Sequence, residues 1–211
     1  MSLPKSLKIL PSLVAAAVLL GAGQPARANP IISFTSPTID FNNITHLVGW
    51  EFTANTNILV TALGFYDNPV NGLTASHDIG IYDATTQALV LSGVVNPSDP
   101  YSNWFNWHSV APTMLTAGQT YDIVAVLGGD ARTWDPVGYA VNPLVTWLRN
   151  VWSNGVTDLE FPVSSDGNTN GYFGPNFDGT GTLAVPEPAS GTLMVVGLGM
   201  LAVARRRKKS L

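Results

Sequence analysis

No cysteine occurs among the 211 residues. Disulfides, thiol nucleophiles and thiolate metal sites are therefore all excluded, and the fold must be held by its core alone. Lysine is confined to the ends, at Lys5, Lys8, Lys208 and Lys209, and between residues 29 and 185 the only arginines are Arg132 and Arg149. A segment without lysine cannot form a Schiff base or grip a phosphate in a P-loop. The same segment carries thirteen carboxylates, so it repels phosphate backbones and is no nucleic-acid binder. Patterns for metalloprotease, nucleophile-elbow and dinucleotide chemistry are missing, and the one SxxK spacing, Ser2 to Lys5, falls at the extreme N terminus. Charged residues make up only 11% of the chain, against 20 glycines and 15 prolines, which describes an ordered, turn-rich body.

Both ends carry address signals. Met1 to Lys8 is short and basic, Ile9 to Ala22 is apolar, and the stretch to Ala28 ends in a small-x-small site at Ala26 and Ala28. This predicts a secretory signal peptide over 1–28, cut after Ala28 and handled by the Sec translocon and signal peptidase. At the other end, residues 189–204 are apolar and lead straight into the basic cluster Arg205 to Lys209. A helix over that run reaches only ~24 Å against a hydrocarbon core of ~30 Å, so it predicts a short transmembrane helix. The basic cluster keeps to the cytoplasmic side, with its side chains snorkelling to the headgroups.

Ahead of that helix stands Pro186-Glu187-Pro188, where two prolines hold the chain extended and open to a processing enzyme. Pro-Glu-Pro, short apolar helix and basic tail, in that order over 186–211, closely resemble the PEP-CTERM sorting signal of Gram-negative bacteria. The resemblance implies that an exosortase, a membrane cysteine transpeptidase, recognises Pro186, Glu187 and Pro188, with Arg205, Arg206 and Arg207 as the retained tail. It implies a chain anchored in the inner membrane before processing, then sent to the cell surface or released.

Residues 29–185 read as an all-β body. Val48, Trp50 and Phe52 alternate with Leu47, Gly49 and Glu51, and apolar stretches at 57–66, 88–95, 104–110 and 120–127 are punctuated by turn clusters. Pro143 to Val151 is the one place where a short helix is expected. This spacing predicts a single antiparallel β-sandwich or jelly roll. The segments Gly49 to Thr53, Ile58 to Asp67, Ser76 to Asp83 and Leu115 to Asp122 resemble a β-sandwich domain of unknown function that recurs in exported PEP-CTERM proteins. Gly171 to Phe177 resembles the segment that closes such domains. The resemblance implies a fold and a cell-surface setting, and brings no catalytic residues.

Candidate chemistry is sparse. Glu51 and Glu160 are the body's only glutamates, and Glu51 is expected on a solvated face. His46, His77 and His108 are expected at the surface, with no local ligand spacing between them. Asp166, Asn168 and Asn170, with Gly171 at the sixth position, have the oxygen spacing of a lone Ca²⁺ loop, but Phe177 occupies the twelfth position. An Asn/Gly-rich hairpin explains the same residues. Ca²⁺ is the only cofactor left open. Trp134 and Trp104 are the expected stacking faces for a sugar ring. The sequence thus points to a non-enzymatic surface or matrix protein associated with exopolysaccharide, with a calcium-dependent adhesion module as the alternative. A glycan hydrolase carries less weight, as does an ice-binding protein, since regular threonine arrays are absent.

Overall fold

A computed structural model describes residues 29–36, 40–42, 46–67, 72–134, 137–167 and 171–181. The expected signal peptide, the sorting signal and helix over 186–211, and Asn168 and Asn170 lie outside the described residues. Fifteen strands and no helix occur among the described residues. In chain order they are β1 (Ile32–Ser36), β2 (Asp40–Asn42), β3 (His46–Ala54), β4 (Ile58–Tyr66), β5 (His77–Asp83), β6 (Leu89–Val95), β7 (Tyr101–Ser102) and β8 (Phe105–Leu115). They continue with β9 (Thr120–Val126), β10 (Ala131–Trp134), β11 (Val137–Val141), β12 (Val145–Asn154), β13 (Ser164–Asp166), β14 (Tyr172–Phe173) and β15 (Pro175–Gly181).

A six-stranded sheet, β13-β12-β3-β9-β5-β6, faces a four-stranded one, β15-β4-β8-β7; β1 pairs with β11, and β14-β10-β2 form a small third ladder. All the ladders are antiparallel. The alternation expected in β3 is realised: Val48, Trp50 and Phe52 enter the core between the sheets, and Leu47 belongs to a separate cluster on the far side. The Trp50 ring stacks on Phe177 of β15 (centroids 6.0 Å apart, 15° between planes), and its indole N–H donates to the Pro175 carbonyl at 3.0 Å. Phe52 packs on both rings. One contact group thereby joins the two sheets by dispersion and by a satisfied buried donor.

The outer face of the six-stranded sheet is not bare. Val156, Leu159 and Phe161, in the strap after β12, pack on Leu47, Tyr82, Val124, Val126 and Val151. Strands β3 and β9 are therefore apolar on both faces, which a single sheet-on-sheet layer does not require.

Two expectations are corrected. Pro143 to Val151 forms no helix: Val145 onward is β12, paired along β3. A bulge between Trp147 and Arg149 breaks its alternation, which hid the period-2 signal. His77 is not at the surface but fully buried, stacked on Phe65 with ring centroids 3.6 Å apart. Both ring nitrogens face oxygens, the Val126 carbonyl at 3.0 Å and Asp130 at 2.9 Å.

Asp130 also accepts from the Thr74 hydroxyl and from the Thr74 and Ala75 backbone N–H groups. Burial pushes this carboxyl upward, but the hydrogen bonds from Thr74, His77 and Ala75 outweigh it and hold Asp130 below the usual carboxylate range. A depressed carboxylate stabilises the fold above its unfolded value, and that contribution vanishes as pH falls through the folded one. Asp130→Ala is expected to cost about 3 kcal/mol at pH 7, by urea unfolding, because it strands several buried donors. The gap between wild type and variant should shrink below pH 4; a gap independent of pH would contradict this assignment.

Candidate functional site

Strands β7 and β8 are joined through two residues, Asn103 and Trp104, both with positive φ (53° and 71°). A two-residue hairpin turn demands that geometry, and Asn suits its first position. A tryptophan in the left-handed region is strained, by ~1 kcal/mol or more, where glycine would sit freely. The backbone holds it there by a bond from the Asp67 N–H to the Trp104 carbonyl at 2.9 Å.

The half-buried Trp104 forms one wall of a cleft of ≈ 440 Å³. The opposite wall is the β1–β11 ladder with its flanks, including Phe34, Ala140, Val141 and Pro143. The Asn29, Asn103 and Asn142 amides and the Ser33 hydroxyl supply its polar groups, and no lining residue has a charged side chain. An aromatic face among neutral amide donors and acceptors can stack a pyranose ring and hydrogen-bond its hydroxyls.

The other tryptophans are differently employed. Trp50 and Trp107 are buried, and the Trp107 indole N–H donates to the Ser102 carbonyl. Trp147 packs against the core. Trp152 meets Tyr172 edge-on, and the Tyr172 ring is in turn covered by the Arg132 guanidinium at 4.8 Å. Trp134 ends β10 opposite Tyr172, and its side chain is outside the described residues. Asp166 sits in β13, where its two oxygens accept from the Asn150 amide at 3.1 Å and the Tyr172 hydroxyl at 3.3 Å. Among the described residues no group of three His, Cys, Asp or Glu is placed to hold a metal ion.

A polar cluster that the sequence did not signal lies on the outer sheet face. Glu51 was expected on a solvated face; it is on the outer face but only 8% exposed. Arg149, brought opposite it by the β12 bulge, donates to Glu51 at 2.8 Å, and Asp122 stands opposite Glu51 on the other side. Asp122 is 2% exposed and its Oδ1 has no hydrogen-bond partner. A cavity of ≈ 200 Å³ borders all three and is lined on its strap side by Phe161, Pro162 and Val163. Burial first, and the Glu51 charge second, push Asp122 up to about 7, against the pull of Arg149. An acid raised in this way favours the fold below its unfolded value, and that advantage is lost as pH rises through 7. Asp122→Asn should therefore stabilise the protein by on the order of 2 kcal/mol at pH 8 and leave it unchanged at pH 4. Thermal melts at the two pH values check this, and destabilisation at pH 8 would refute it.

Comparison with known proteins finds its match at the C terminus. Residues 184–208 match the PEP-CTERM protein-sorting motif, the segment that contains Pro186, Glu187, Pro188 and Arg205 to Arg207. No curated protein matches the chain. The motif implies export, membrane anchoring before processing, and processing by an exosortase.

Proposed function

We propose that the β-rich body is a non-catalytic cell-surface or matrix module that binds exopolysaccharide through the Trp104 cleft. The observation that carries this reading is the placement of a tryptophan at φ 71° in a hairpin turn, over an uncharged cleft lined by three asparagines. Backbone conformation favours glycine there and core packing of the half-buried indole only offsets that strain, so the exposed part of the indole is free to serve a ligand. The lack of charge favours neutral sugars, whose hydroxyls are matched by amides rather than by ions. The sorting signal supports an exported setting, and the surface of a Gram-negative bacterium, after the exosortase step, is where this reading puts the body. Calcium dependence remains the alternative reading: Asp166 accepts from Asn150 and Tyr172, and its partners in the expected loop, Asn168 and Asn170, lie outside the described residues.

Cosedimentation of the exported protein with the producing cell's own extracellular polysaccharide tests the reading, with and without a calcium chelator. Binding is expected in both conditions. Trp104→Gly should lower affinity about 10-fold while changing folding stability by no more than ~1 kcal/mol, because lost packing and relieved strain oppose one another. Undiminished binding by this variant would remove the cleft from the function. Binding only with calcium would favour the adhesion alternative.

A further inference from the structure

The first described residue already takes part in the fold. The Asn29 backbone nitrogen donates to Asp178 Oδ1 at 3.0 Å, and Pro30 bridges Asp178 in an antiparallel sense. Ile31 N–H then donates to the Phe177 carbonyl at 3.1 Å. Ile32 is held twice by the Asn176 side chain, which accepts from its N–H at 3.1 Å and donates to its carbonyl at 2.7 Å. Asn29 and Pro30 also line the Trp104 cleft. A carboxylate thus stands against the one backbone nitrogen that the expected cut after Ala28 would set free.

We infer that processing at the Ala28–Asn29 bond places a new ammonium on Asp178, and that this ion pair pins the amino-terminal wall of the cleft. The step is a hydrolysis by a signal peptidase. Water adds across the amide, Ala28 leaves with the leader as a carboxylate, and Asn29 keeps the amine, which takes up a proton at neutral pH. A neutral N–H donor becomes a charge-assisted one on the same acceptor. Because residues 29–185 contain no lysine, this is the only aliphatic amine in the body and, at neutral pH, a third cation beside Arg132 and Arg149. In the unprocessed chain the leader continues from Asn29, a residue of the cleft wall, and processing adds the charge to a contact the wall already makes. The inference rests on the export reading and is independent of whether the cleft binds sugar.

The test uses the full chain exported with its own leader, followed by mass determination of the amino terminus and melting curves at pH 6 and pH 10. The first residue is expected to be Asn29. Asp178→Asn should lower the melting temperature by about 3 °C at pH 6. An ammonium that gains a partner stabilises below the α-amine range, ~8, and stops doing so above it, so the gap should close toward pH 10. Acetylation with an activated ester reaches no other amine in the body, and should leave the acetylated protein with no such pH-dependent gap. A different first residue would overturn the inference, as would a gap that is equal at both pH values or unmoved by acetylation. Even if the variant fails to fold, acetylated wild type should melt below unacetylated wild type at pH 6 and level with it at pH 10, and equal melting at pH 6 would overturn the inference.

Discussion

The contact of Trp50 with β15 is the interaction on which the other features depend. Its stacking on Phe177 and its hydrogen bond to Pro175 tie the larger sheet to the edge strand of the smaller one. That same strand, through Asn176, Phe177 and Asp178, receives the incoming chain at Asn29 to Ile32. β1 then pairs with β11, and the two make the wall that faces Trp104. The cleft is therefore assembled from three segments far apart in sequence, the first of which is anchored on β15. In a chain without disulfides, burial of large aromatic groups has to supply this cohesion.

Against this regular background, three of the local departures among the described residues bear on the two candidate sites. The bulge in β12 costs ladder bonds and delivers Arg149 to Glu51. The carboxyl of Asp122 is kept under the strap at the expense of its ionisation near neutral pH. The Asn103-Trp104 turn keeps an indole where glycine is easier. The first two belong to one another, since the bulged strand supplies the guanidinium that pairs with Glu51 beside Asp122. The third stands alone at the cleft, where packing of the indole against the core offsets part of the backbone strain.

What was legible in the sequence follows from how local each signal is. The PEP-CTERM signal depends on chemistry within one contiguous segment, and it was readable in full. The alternation in β3 was readable because one residue in two enters the core, and the turn clusters marked the strand ends. β12 was misread because the extra residue at its bulge shifts the apolar pattern by one. Glu51 was correctly placed on the outer face but wrongly pictured in water, because the strap that covers that face comes more than a hundred residues later. His77 gave no sign of burial, since its acceptors, Val126 and Asp130, lie on a distant strand and turn. Trp104 could be named as a stacking candidate, but the amides that make it a cleft come from β1, β11 and their flanks.

The central claim is that a sorted, exported sandwich of sheets presents one neutral, aromatic cleft to sugar. The six tryptophans give an internal map for testing it, because each indole N–H has its own NMR resonance. The most direct measurement is a titration of the exported, isotope-labelled protein with oligosaccharides from the producing cell's matrix, following those resonances assigned by single substitutions. The account predicts that the Trp104 signal moves with ligand while Trp50 and Trp107 stay in place. Movement confined to Trp152, beside Arg132 and Tyr172, or no movement of Trp104 at saturating sugar, would contradict it.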